Sequence, residues 1–321
     1  MKKAIVVLVS IMLLGALLWQ CERGVTPVSS AMKKELSRLP ESAIGMTYVN
    51  VSKIRQSEFF GAFEEEFQSK LSHDKDYRDF TEATGFDFTE DVNEMFITFA
   101  PGESRRDKKF LAIIKGNFDE DKIIEFVSAK DSRNELKSET HGDYTVYRVE
   151  EKPVRFSFPD EETLIVGVEE YVTSWLDGDK STDKWIERMG KMRYKNGICA
   201  TLDAKTMIHD IMLEVNEWGE GKRLQALKSV EDVYFSMEAT DEILFEGKGK
   251  FSDVQNAELF HDAIKGMIAT VKISVSGDRD AVDVFNKIKI SQDGNWVTGN
   301  FKMSKEDIKK LMKTRPEAIV L

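Results

Sequence analysis

Alternating and continuous apolar runs mark out a strand-rich chain. Gly45-Met46-Thr47-Tyr48-Val49-Asn50-Val51 reads as a strand closed by Ser52-Lys53, and Gly197-Ile198-Cys199-Ala200-Thr201-Leu202-Asp203 as another, followed by Ala204-Lys205. A second pair of strand patterns is Val92 to Phe99 and Val230 to Met237. A third is Ile114-Lys115-Gly116-Asn117-Phe118-Asp119 and Gly247-Lys248-Gly249-Lys250-Phe251-Ser252. Each third strand leads into a helical pattern. The elements recur in the same order, which predicts an internal repeat. On this alignment Phe118 and Phe251 are equivalent core residues, and Gly116 and Gly249 mark close backbone approach or a local bend.

Shorter signals fill in the halves. Ser252-Asp253-Val254-Gln255 reads as a capping box before Ala257, Phe260, Ile264, Met267 and Val271 at helical spacing. Asp119 is placed to cap the matching helix with Ile123, Ile124 and Val127. Phe60, Phe63, Phe67 and Leu71 predict one helical stripe, with Glu64 to Glu66 facing water. Gly142-Asp143 predicts a hairpin, and Arg155 to Phe158 and Thr163 to Val166 continue the meander. Gly294-Asn295 precedes a strand from Trp296 to Phe301, and Ser304 caps a last helix. The predicted fold class is α+β, with two related halves of antiparallel sheet and helices packed on one face. The first half spans 35–178. A charged linker over 179–196 carries a short helix with Trp185, Ile186 and Met189, and the second half spans 197–321.

The N-terminus is different. Met1-Lys2-Lys3 precedes an apolar run from Ala4 to Trp19, the basic and hydrophobic regions of an export signal over 1–20. As a helix the run would be roughly 24 Å long, short of the about 30 Å of a bilayer core. Cys21 follows at once, where a bacterial lipoprotein signal places its acylated cysteine, although Trp19 and Gln20 are larger than usual before the cut. Lipidation at Cys21 is the favoured reading. An uncleaved short anchor and a cleaved, freely secreted form are the alternatives. Residues 21–34 read as a tether, and the body is expected outside the cytoplasm, in the cell envelope.

Composition limits what the body can do. The net charge of −11 disfavours sequence-independent nucleic-acid binding, which needs clustered Lys and Arg. Two cysteines, Cys21 and Cys199, make neither a disulfide framework nor a multi-cysteine zinc site.

The chain carries only fragments of known chemical motifs. His73, His141, His209 and His261 lack metal-ligand spacing. Gly247-x-Gly249 lacks the third glycine of a dinucleotide loop. Asp177-Gly178-Asp179-Lys180-Ser181-Thr182-Asp183 resembles a calcium loop, but Thr182 and Arg188 stand where glycine and a bidentate Glu are needed. Glu64-Glu65-Glu66, Glu161-Glu162 and Glu169-Glu170 read as charged outer faces, since adjacent carboxylates point apart. Arg105-Arg106-Asp107-Lys108-Lys109 reads as a hairpin tip, or as a dock for phosphate headgroups or an acidic partner. Cys199 reads as a small buried hydrophobe. No catalytic residue, cofactor site or metal site is nominated.

Leu39-Pro40-Glu41-Ser42-Ala43, the Lys-Gly-x-Phe step, Asp143-Tyr144-Thr145-Val146-Tyr147 and Val166-Gly167-Val168-Glu169-Glu170 before Tyr171-Val172 resemble a group of bacterial families. These are exported or lipoprotein families with duplicated α+β halves and no assigned active site. The resemblance covers most of residues 35 to 313 and implies architecture and export. The expected role is non-enzymatic binding or assembly at the envelope, tethered to the membrane through the N-terminus, with an envelope protein, a glycan or a lipid as partner. The alternatives are an exported, hydrolase-like enzyme whose site forms only in three dimensions, and a carrier holding an apolar ligand between sheet and helix.

Overall fold

A computed structural model describes residues 27–102, 108–130, 136–149, 152–178, 182–195, 197–207 and 228–313. The export signal, Cys21, Arg105 to Asp107, His209 and Asp179 lie outside the described residues.

The described chain opens on α1 (Ser30–Ser37), where the Ser29 hydroxyl accepts from Met32 N at 3.2 Å. Met32 and Leu36 are buried in the main core and Tyr194 OH donates to Pro27 O at 2.8 Å. The expected tether over 21–34 therefore gives way to packed structure earlier than its pattern suggested. Strand β1 (Gly45–Asn50) ends where the Asn50 side chain accepts from Lys53 N at 3.0 Å and so caps α2 (Val51–Arg55). Then come α3 (Glu58–Gly61), α4 (Glu64–His73), α5 (Lys75–Thr84) and α6 (Phe88–Asp91). The single stripe expected from Phe60 to Leu71 is broken, because α3 stops at Gly61 and Phe63 is the N-cap of α4. Phe59, outside that stripe, is buried.

Strands β2 (Val92–Ala100) and β3 (Lys109–Gly116) precede α7 (Glu120–Lys130), where Asp119 accepts from Lys122 N. The meander β4 (Leu136–His141), β5 (Tyr144–Val149), β6 (Val154–Asp160) and β7 (Thr163–Val168) leads to α8 (Glu169–Leu176) and α9 (Lys184–Met189). The second half runs β8 (Gly197–Asp203), β9 (Val230–Ala239), β10 (Ile243–Phe251), α10 (Val254–Ser274), α11 (Arg279–Phe285), β11 (Lys289–Asp293), β12 (Trp296–Met303) and α12 (Lys305–Lys313). Asp253, rather than Ser252, caps α10 by accepting from Asn256 N at 2.8 Å.

All twelve strands of the described residues form one antiparallel sheet in the order β11-β12-β10-β9-β8-β1-β2-β3-β7-β6-β5-β4. The two halves meet at its centre, where Thr47 pairs with Ala200, Tyr48 with Cys199 and Met46 with Thr201. From that seam the order reads alike in both directions, and the first half adds two strands, β5 and β4, at its end. Both halves carry a bulge in the same place. The register skips Asn93 where Val92 faces Gly116 and Glu94 faces Lys115, and skips Glu231 where Val230 faces Phe251 and Asp232 faces Lys250. Backbone bonds beyond the ladders match as well. Gly116 N donates to Glu162 O and Phe251 N to Asn295 O; Asn117 N donates to Asp91 O and Ser252 N to Ser229 O.

These pairings correct the expected register. Met46 and Cys199 lie on the same face of the seam, so Cys199, not Ile198, is the counterpart of Met46. Phe251 corresponds to Gly116, not to Phe118. Accordingly Phe251 is fully buried, while Phe118 is half-buried and stacks on Phe86 at 5.5 Å.

The main core lies on one face of the sheet, where Tyr48, Phe96, Ile113, Ile165 and Cys199 meet Leu36, Trp175, Trp185 and Met189 of α1, α8 and α9. Each such fully buried side chain contributes roughly 1.5–3 kcal/mol. Helix α9 is fixed there by Arg188, which donates to Thr201 Oγ1 at 2.8 Å and pairs with Asp232. On the opposite face a smaller cluster gathers Phe251, Ala257 of α10 and Val297. Rings of α5 and α7, Phe80 and Phe126, continue through Phe86 and Phe118 to Phe158 and Phe156 at the other end.

Candidate functional site: an apolar sheet face

The residues that could carry chemistry are not gathered. His73 Nδ1 lies 2.5 Å from Ser69 O on its own helix. His141 Nε2 meets Asp177 Oδ1 at 2.7 Å on the surface, and His261 meets its neighbour Asp262. Among the described residues no group of three or more His, Cys, Asp or Glu is placed to hold a metal. Asp177 of the calcium-like stretch faces His141, and Gly178 makes the turn that ends α8 with φ 73°. Gly247-x-Gly249 is interior to β10, paired on both sides, and opens no phosphate loop. Glu169 pairs with Arg155, and Glu170 with Lys109, the described end of the basic cluster. Lys109 Nζ also lies over the Tyr171 ring.

Cys199 is fully buried, with Sγ 3.4 Å from Met189 Sδ. Burial pushes its thiol up to about 12, which leaves it protonated and unreactive. Burial and the nearby Glu94 carboxylate likewise raise the Tyr48 phenol above its ordinary value.

Clefts lined by described residues include three. One of about 530 Å³ is lined by Phe118, Phe158 and the acids Asp119, Glu120, Asp121, Asp160 and Glu161. Another of about 470 Å³ contains Ser42 Oγ bonded to Tyr171 OH at 2.8 Å, with no histidine in its lining. The third, about 330 Å³, adjoins Gly85 and Lys122. None brings a nucleophile to a base.

The distinctive surface is the sheet face opposite the main core. Reading across paired residues, one row runs Ala112, Ile97, Thr47, Ala200, Phe235, Gly247, Gly299, Ile290. The next runs Leu164, Ile114, Met95, Val49, Ile198, Met237, Phe245, Phe301. Apart from Thr47, every member is apolar or glycine, and none is fully buried. Phe99 is 38% exposed, with its ring packed over Gly45, and Phe235 is 36% exposed. Ring contacts at 6.1 Å link Phe235 to Phe245 and Phe245 to Phe301. Helix α10 beside this face has only Ala257 fully buried, and leaves Leu259, Met267 and Ile273 exposed at 60%, 55% and 74%. Among the described residues no helix is long and apolar enough to cross a membrane.

The sequence pattern hid this face. Phe235 stands next to Tyr234 and Phe245 next to Leu244, so the sequence does not show which of each pair lies on a filled core. Only the three glycines Gly247, Gly249 and Gly299, close together across β10 and β12, set the region apart.

No family model matches the chain, and no curated protein matches it. Solved structures of TP0453 are similar to it. Crystal form III covers 87% of this chain and 98% of that one at 10% identity, with a TM-score of 0.51. Form IV covers 87% and 96% at 11% identity, with a TM-score of 0.46. At such low identity the likeness is one of fold: the chain shares with TP0453 an α+β architecture built on an antiparallel sheet.

Proposed function

We propose that this is an exported, membrane-tethered envelope protein that acts by binding rather than catalysis, with the open apolar sheet face as its binding surface. One observation carries the reading. Phe235, Phe99, Phe245 and Phe301 lie on a continuous apolar face, while the main core packs on the opposite face of the central strands. An exposed apolar surface of this kind costs solubility and is kept where something binds it. Anilinonaphthalene sulfonate added to the folded protein should give saturable fluorescence. Phe235→Gln should weaken that signal without removing the cooperative melt. A native protein that binds no apolar probe would sink the proposal.

A further inference from the structure

The duplicated halves supply an internal comparison for the apolar face. Pairing across the sheet makes Gly247 the counterpart of Ala112, Gly299 that of Val166 and Gly249 that of Ile114. Where the first half carries three side chains, the second carries none. Backbone conformation does not require these glycines, since none of the three has positive φ. Two are accounted for by neighbours. A side chain at Gly249 would begin 3.3 Å from the Phe251 ring, and one at Gly299 3.1 Å from Ile290 Cδ1. Gly247 has no such reason: among the described residues nothing comes within 4 Å of where its side chain would start. No atom of α10 is within 4 Å of that point. A glycine inside a strand weakens it, and persists where something must approach the backbone closely.

This open space also selects its occupant. Beside it on the same face stand Phe235, Phe245 and Phe301, which offer no hydrogen bond. The β10 backbone forming its floor is already paired with β9 on one side and β12 on the other. A peptide or sugar laid there would bury polar groups without partners, at a cost of roughly 1–3 kcal/mol each. A hydrocarbon chain needs none. We infer that the open space over Gly247 is a subsite for one unbranched hydrocarbon chain of a lipid, lying on β10 against the row of phenylalanine rings. This rests on the reading of the apolar face as a binding surface and names what that surface takes.

The test uses the full-length protein, the fluorescent polyene fatty acid parinarate, and the variants Gly247→Ala and Gly247→Val. The expected result is saturable parinarate binding by the wild type, weakened stepwise by Ala and then Val, at least about tenfold for Val, because the added carbons occupy the floor. The melting midpoint should stay level or rise, since valine favours a strand and enters open space. Unchanged parinarate affinity in both variants, with wild-type binding intact, would overturn the subsite while leaving the binding face standing. A Gly247→Val protein that melts much lower would show that the chain itself fills that space, and would overturn the subsite too. No apolar binding by the wild type would remove the reading beneath it.

Discussion

Phe251 stands in the second half where Gly116 stands in the first. Each sits opposite the valine before a bulge, and each donates its N–H to the carbonyl just ahead of the neighbouring strand. One position is filled by a buried ring and the other by a backbone contact, since a side chain on Gly116 would begin 2.3 Å from Asp91 O. Phe251→Ala should therefore cost about 3–5 kcal/mol in denaturant melts. Gly116→Ala should destabilise strongly, because a backbone carbonyl cannot step aside. Phe118→Ala, at a half-buried ring, should cost less than Phe251→Ala. Equal losses for the two phenylalanines would argue against the corrected register.

The Arg188–Asp232 pair holds α9 to the sheet with both groups largely withdrawn from water. Asp232→Ala should lower stability by about 3 kcal/mol, because the guanidinium loses its charged partner in a poorly solvated place. Replacing both residues by apolar ones should recover much of that loss. A melt of Asp232→Ala indistinguishable from wild type would mean that Arg188 reaches water.

The buried thiol makes a pH prediction with a definite sign. Cys199 titrates near 8.5 when unfolded and is pushed up to about 12 when folded. Its contribution to stability is complete below the unfolded value and is lost as pH rises from about 8.5 towards 12, since the unfolded chain there binds fewer protons. The fall in stability between pH 9 and 11 should be shallower for Cys199→Ala than for wild type. Identical slopes would contradict the assigned burial.

Mass spectrometry of protein extracted from membranes should find a mature chain beginning at acylated Cys21. Recovery of an intact chain from Met1, or of a soluble mature form, would contradict lipidation.

Much of the fold is legible in the residues, and the errors have physical causes. Asp119 and Ser304 are helix caps as their positions suggest, and Gly142 and Gly294 make their hairpin turns with φ 59° and 54°. The repeat register slipped because β1, β8 and their neighbours carry apolar residues on both faces. A run such as Gly197-Ile198-Cys199-Ala200 gives no sign of which residue points where. The bulges at Asn93 and Glu231 each shift the count by one and leave no mark in composition. The apolar face escaped for the same reason: a half-exposed Phe235 and a buried Phe96 look alike until both faces of the sheet are seen.

The central seam also governs when the protein can fold. β1 lies between β2, close behind it in sequence, and β8, which follows only after the whole first half. A chain emerging N-terminus first can form the β1–β2–β3 hairpins early, but one flank of β1 stays unpaired until Gly197 to Asp203 arrive. Contacts this distant in sequence slow folding and leave strand edges open to wrong partners. The first half on its own would thus present an unsatisfied strand edge, and would need a chaperone or rapid completion of the chain to escape aggregation.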